Sequence, residues 1–189
     1  MKLNRSLTAT IIALSLFSFM TLKAVAKEQS AVFAGGCFWC TESDFEKLDG
    51  VMSATSGYIG GQLKNPTYKQ VSAGGSGHTE AVEVIYDDQT ISYSELVEYF
   101  WKTIDPTDDG GQFCDRGQQY RSEIFYQTEE QRSIAQSSKD ALAASGLLKT
   151  EIVTQLTPWS RFYAAEDYHQ DYYLKNPIRY NYYRWGCGR

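Results

Sequence analysis

The segment Ala31-Val32-Phe33-Ala34-Gly35-Gly36-Cys37 constrains the fold most: a short apolar run is ended by two glycines, and a cysteine follows at once. An uninterrupted apolar run of this length reads as a buried strand, and the glycine pair as a tight turn. Phe38, Phe45 and Leu48 then fall along one stripe at helical spacing, and Asp49-Gly50 ends the pattern. Such a strand–turn–helix places Cys37 at a helix N-terminus, where free backbone N–H groups and the positive end of the helix dipole stabilise a thiolate. Cys37 is therefore expected to be a nucleophile at neutral pH. Cys40 stands one helical turn on, close enough for a disulfide of the redox Cys-x-x-Cys kind.

Further along, Thr79–Tyr86 alternates as a strand, and Glu80 shares a face with Val82, Val84 and Tyr86, so a carboxyl ends an otherwise apolar face. Val51–Gly61 reads as a second, irregular strand and Gln62–Gly77 as a loop. Ser92 with Glu95 forms a capping box for a helix with an apolar stripe of Leu96, Val97, Phe100, Trp101 and Ile104. After a glycine-rich loop from Asp108 to Gly117, a strand is predicted around Arg121–Tyr126. A helix capped by Thr128 and stopping at Gly146 comes next, then a strand over Glu151–Leu156 and a helix over Ala164–Lys175. The aromatic tail beyond Pro177 reads as irregular. No repeat or internal linker divides the chain, and the alternation of elements indicates one α/β (α+β) domain. The expected architecture is a two-layer sandwich of helices on a mixed sheet, with a ferredoxin-like plait core and an irregular C-terminal tail.

Lys2 and Arg5 precede an apolar stretch from Leu7 to Leu22, and Ala24-Val25-Ala26 supplies small residues at a cleavage site. Residues 1–26 thus read as a secretory signal peptide cleaved after Ala26, leaving 27–189 as one catalytic domain exported to the periplasm with no lasting membrane anchor. The stretch is broken by hydroxyl residues and falls short of a membrane span. With 18 Lys+Arg against 23 Asp+Glu and no basic run, the chain lacks a nucleic-acid footprint. Four cysteines in an exported chain, at 37, 40, 114 and 187, would ordinarily form two disulfides. A structural bond from Cys37 to Cys114 or Cys187 is the plain alternative to a reactive thiol. A zinc site is poorly served, because His78 and His169 are too far apart in sequence for finger-type spacing.

Gly36-Cys37-Phe38-Trp39 resembles the signature of the peptide methionine sulfoxide reductase A family. So do Ser56-Gly57-Tyr58-Ile59-Gly60-Gly61, Asn65-Pro66-Thr67-Tyr68, Gly77-His78-Thr79-Glu80-Ala81-Val82, Asp115 with Gly117 through Tyr120-Arg121-Ser122, and Ala165-Glu166-Asp167-Tyr168-His169-Gln170, in the family's order. The resemblance implies reduction of the S epimer of methionine sulfoxide, free or in proteins, with no bound cofactor or metal and a thioredoxin-like dithiol as reductant. It makes Cys37 the nucleophile and Glu80 the acid, with Tyr68 and Tyr120 as donors to the sulfoxide oxygen. Asp115 becomes an orienting residue, and Phe38 and Trp39 line a pocket for the S-methyl group. Periodicity alone would put Phe38 in the core. A raised Glu80 pKa is expected from its apolar strand face.

The sulfenic acid left on Cys37 needs a second thiol. Cys40 is expected to pair first, with Cys187, in a flexible-looking Gly-Cys-Gly tail, as alternative resolver or relay. Cys114 is assigned no role, and His78 and His169 read as structural. A monomer is expected. Two other functions fit the cysteines: a general Cys-x-x-Cys oxidoreductase, and a disulfide-stabilised binding module presenting Phe38, Trp39, Tyr180, Tyr182, Tyr183 and Trp185.

Overall fold

The computed structural model describes residues 27–189; the segment 1–26, on which the signal-peptide reading falls, lies outside them. The elements run β1 (Glu28–Gly35), α1 (Phe38–Phe45), β2 (Val51–Ile59), α2 (Tyr68–Ser72), β3 (Thr79–Asp87), α3 (Tyr93–Thr103), β4 (Gly111–Gln112) and β5 (Asp115–Arg116). A 3-10 turn at Gln118–Tyr120 leads to β6 (Ser122–Tyr126), α4 (Glu129–Ala144), β7 (Gln155–Pro158), β8 (Tyr163–Ala164), α5 (Tyr172–Lys175) and α6 (Pro177–Gly186). The main sheet has the order β7-β6-β1-β3-β2-β8. Its four inner strands, in the order β6-β1-β3-β2 and antiparallel throughout, form with α1 and α3 the β-α-β-β-α-β plait expected from the sequence. Only β7 runs parallel to its neighbour, which makes the sheet mixed.

The run Ala31–Ala34 is apolar at every position because β1 is central and both its faces are covered. Ala31 and Phe33 join Val82, Val84 and Tyr86 of β3 beneath α1 and α3, while Val32 and Ala34 face a smaller cluster with Ile59, Ala81 and Phe125. Phe33 stacks on Phe45 at 4.7 Å between ring centres and lies 5.1 Å from Phe100, joining the strand to both helices. Ser92 and Glu95 form the capping box of α3.

Several expectations are corrected. The loop over Gln62–Gly77 contains α2, started by a Thr67/Gln70 capping box. The strand placed at Glu151–Leu156 lies at Gln155–Pro158, because the N–H groups of Val153 and Thr154 donate to Pro106 O instead of to the sheet. Ala164–Lys175 is not one helix: Ala164 belongs to β8, paired with Gly57, and only Tyr172–Lys175 is helical. The tail is not irregular, since α6 starts with Pro177 in its first turn, a favoured place for proline. Nor is it a free arm: Cys187 is bonded to Cys114 with 5.2 Å between Cα atoms, and the Arg189 guanidinium donates to Gly35 O at 2.7 Å. Among the described residues no helix is long and apolar enough to cross a membrane.

Replacing Phe33 by Ala removes a fully buried ring that three elements share, and the expected cost is about 3–5 kcal/mol. Urea unfolding of the parent and variant measures it. A loss below about 1 kcal/mol would show that this ring is not central to the packing.

Candidate active site

The site forms where β1 gives way to α1. Gly36 takes a φ of +84°, and a side chain there would strike Gln112. Cys37 follows as the N-cap of α1, so Phe38 and Trp39 occupy its first turn. Cys37, Phe38, Trp39, Tyr68, Glu80, Asp115, Tyr120 and Tyr183 together line a cavity of about 150 Å³. Every sequence-predicted catalytic and substrate-binding residue is therefore on one wall or another of a single pocket. Of the two candidate resolving cysteines, Cys40 sits beneath it with a free thiol, whereas Cys187 is occupied by Cys114. With Cys37 and Cys40 both unbonded, neither a Cys37 bond to Cys114 or Cys187 nor a framework of two locked disulfides describes the chain.

Glu80 is 2% exposed, and its Oε2 accepts the Phe38 N–H at 3.0 Å. Burial lifts its carboxyl to about 8 despite that hydrogen bond, so it carries a proton at neutral pH. The first free donor of α1 thus serves Glu80 and not the thiol. Cys37 does not have the lowered pKa expected from its place at the helix end: burial pushes it well above the ordinary thiol value. The Cys40 sulfur, to which it hydrogen-bonds, and the Glu80 and Asp115 carboxyls push the same way. Cys40 moves the opposite way, to about 7, chiefly because it receives the Cys37 hydrogen bond and also through Arg189 and Arg184. Of the pair, Cys37 therefore holds its proton and Cys40 loses its own first.

Burial also raises the phenols of Tyr68, to about 12, and Tyr120, so both remain donors throughout the physiological range. Tyr68 is fixed from behind by Glu166, whose carboxylate accepts the Tyr68 N–H and the Tyr58 hydroxyl, each at 2.9 Å. Trp39 is clamped: its ring stacks on Tyr172 at 3.7 Å, and its Nε1–H donates to His169 Nδ1 at 3.0 Å. Burial lowers the His169 pKa and keeps the ring neutral, as an acceptor must be.

Sequence reasoning missed three of these contributors. His169 holds a pocket residue, Glu166 holds a candidate donor, and Tyr183 reaches the pocket from α6 to donate to Asp115. The first two stand in the block Ala165–Gln170, whose only signal was its resemblance to the family; Tyr183 had none, because its place depends on the docked tail. His78 is structural as expected, accepting the Gly61 N–H at 3.2 Å. Glu42, Glu46 and Asp171 bring carboxylate oxygens close enough to hold a cation, outside the pocket. The Glu42 oxygens are already engaged by Ser56 and by the Asp171 N–H.

Glu80 links the site to stability. Its carboxyl ionises in the unfolded chain above about 4.5 but keeps its proton in the fold until about 8, so stability falls as pH rises between those values. Glu42, raised to about 7 by burial, acts with the same sign. Glu80→Gln should therefore lose less stability between pH 5 and pH 8 than the parent in urea titrations, and equal losses would contradict the buried, protonated carboxyl.

Residues 29–189 match the family described as Peptide methionine sulfoxide reductase. The chain is 57% identical over 152 residues to the peptide methionine sulfoxide reductase MsrA of Streptococcus agalactiae, covering 80% of this chain and 90% of that protein. It is 49% identical over 184 residues to the MsrA/MsrB protein of Vibrio cholerae, covering 94% of this chain but spanning about half (49%) of that longer relative. Among solved structures, the reduced form of Mxr1 from Saccharomyces cerevisiae superimposes with a TM-score of 0.73 at 32% identity, over 80% of this chain and 87% of that one. Mxr1 has also been solved in complex with Trx2; that chain is 24% identical, with a TM-score of 0.54 over 81% of this chain and 91% of its own. With the plait, the cysteine at the strand-to-helix turn and the family match over nearly all the described residues, the chain belongs to the peptide methionine sulfoxide reductase family.

Proposed function

We propose that this enzyme reduces the S epimer of methionine sulfoxide, free or within proteins, through Cys37. The observation that carries the reading is a buried, protonated carboxyl, Glu80, lining the same small cavity as a nucleophilic sulfur and two tyrosine hydroxyls. A sulfoxide oxygen entering the pocket would accept hydrogen bonds from Tyr68, Tyr120 and Glu80, while Phe38 and Trp39 receive the methyl group. The Cys37 sulfur then attacks the sulfoxide sulfur as its proton passes to the Cys40 thiolate, and Glu80 gives its proton to the departing oxygen. As the substrate S–O bond and the new bond between the two sulfurs break, the oxygen passes to Cys37, leaving a sulfenic acid there and releasing methionine. Methionine sulfur has gained two electrons, and Cys37 has lost them.

Cys40 closes the cycle: its sulfur bonds to Cys37, the S–OH bond breaks, and the Cys40 proton leaves with the hydroxide as water. A thioredoxin-like dithiol then reduces the Cys37–Cys40 bond, a role supported by the Trx2 complex of yeast Mxr1. The general oxidoreductase reading is less well supported, because it gives no part to Glu80, Tyr68 and Tyr120, which line one small cavity with Cys37.

With dithiothreitol as donor, the protein should reduce the S epimer and leave the R epimer, and Cys37→Ser should lose at least about a thousandfold in kcat/KM. Reduction of both epimers, or a Cys37→Ser variant of near-parental activity, would refute the mechanism. Mass mapping after one equivalent of sulfoxide should find Cys37 bonded to Cys40; a first bond from Cys37 to Cys187 would reassign the resolving thiol.

Export through residues 1–26, with cleavage after Ala26, belongs to the same proposal and is supported by the layout of that segment. N-terminal sequencing of the protein recovered from its native host should begin at Lys27, and an intact Met1 start would overturn the export reading.

A further inference from the structure

The most unusual charge arrangement outside the pocket lies beneath it. Asp44 stands one turn beyond Cys40 on α1, and two guanidinium groups converge on its carboxylate. Arg184 Nη2 lies 2.7 Å from Oδ1, and Arg189 Nη2 lies 3.5 Å from Oδ2. The Asp44 and Arg189 side chains are each 4% exposed. Arg189 also donates to Gly35 O and, at 3.2 Å, to Thr41 Oγ1, and its buried Nε–H has no acceptor among the described residues. Arg184 Nη1 donates to the hydroxyl of Tyr180, whose ring packs on Cys40 together with Tyr172. Two cations thus share one carboxylate, Arg189 and Asp44 buried where an unbalanced charge is costly and Arg184 with its side chain 26% exposed. Asp115, which also feels Arg189, is engaged by Tyr183 across the pocket.

We propose that Arg184 and Arg189 are positioning residues for the resolving step, holding negative charge on Cys40 Sγ as it attacks the Cys37 sulfenic acid. The inference rests on the reading of Cys40 as the resolving thiol. The groups facing Cys40 are Cys37 and Asp44 of its own helix, Glu80 of β3, Tyr172 of α5, Tyr180, Tyr183 and Arg184 of α6, and Arg189. Burial keeps Glu80, Tyr180 and Tyr183 neutral near pH 7, so the remaining fixed charges are those of the two guanidinium groups and the Asp44 carboxylate. The lowered Cys40 pKa agrees with that balance: Arg189 and Arg184 act against burial and Asp44. As the new S–S bond forms, Cys40 gives up its proton, which leaves with the hydroxide of the sulfenic acid as water, so the step needs no further reactant. Guanidinium charge that favours the deprotonated sulfur lowers the cost of that proton loss.

In the Cys37→Ser protein, with the Cys114–Cys187 bond intact, thiolate absorbance near 240 nm reports Cys40 directly, and its midpoint is the reference for each further substitution in that background. Arg184→Met should raise the midpoint by about one pH unit, and Arg184→Lys should restore most of it. Asp44→Asn should move it downward. In the enzyme with Cys37 present, Arg184→Met should slow formation of the Cys37–Cys40 bond at pH 7 about fivefold, the fall in thiolate fraction for such a shift, and regain parental speed near pH 9. A merely structural role would not give opposite shifts for Arg184→Met and Asp44→Asn, nor recovery with pH. An unmoved midpoint in folded Arg184→Met, or an upward shift in Asp44→Asn, would overturn the proposal. Should Arg184→Met fail to fold, the sign of the Asp44→Asn shift still decides. Mapping of a first Cys37–Cys187 bond would instead overturn the assignment of Cys40, whatever the midpoints.

Discussion

The hydrogen bond from the Phe38 N–H to Glu80 joins the two layers of the fold at the point where chemistry happens. It sets a carboxyl from the apolar face of β3 against the open end of α1, so neither group is left as an orphan in the interior. The same contact allocates the helix end. A donor that could have steadied a Cys37 thiolate is spent on Glu80, and burial dominates both titrations. The resting site therefore stores its proton-bearing forms, an acid on Glu80 and a thiol on Cys37, and of the two thiols it is Cys40, one turn lower, that ionises more readily. A reactive thiolate facing solvent would be open to oxidation.

Around that contact the walls are held by a second set of residues with no direct part in the chemistry. Trp39 cannot rotate away while Tyr172 covers its face and His169 accepts its N–H. Tyr68 begins a helix of only five residues, too short to stand alone, and Glu166 ties its backbone to Tyr58 of β2. The segment after β8 thus supplies both clamps, which explains why Ala164–Lys175 is mostly extended and turned: its polar side chains are committed to the pocket walls and not to a helix of their own.

Local features were legible in the sequence, and long-range ones were not. The strand, the glycine turn and the start of α1 each follow from neighbours within a few residues, as does the capping box of α3. Two strands after the first helix were legible as well, but their order in the sheet comes from pairings between distant segments. The error over the Cys37 thiol arose because the helix dipole is visible in sequence whereas depth of burial and a hydrogen bond from 42 residues away are not. The pairing of Cys114 with Cys187, across 73 residues, carried no sequence signal that separated it from the alternatives.

The tail was hidden for a different physical reason. Hydrophobic periodicity finds helices whose apolar residues face inward, and α6 is built the other way round. Tyr180, Tyr183, Arg184 and Cys187, at helical spacing, face the protein, while Ile178, Tyr182 and Trp185 are exposed. Its inward stripe makes sense only against what it meets: Asp115, Asp44 and the bonded sulfur of Cys114. A polar stripe can be buried because each group finds a partner, and it then specifies one docking position more sharply than an apolar stripe, which tolerates sliding. Placing Tyr183 at the pocket and Arg184 beneath Cys40 requires that precision, since a shift of one residue along α6 would separate both side chains from their carboxylates.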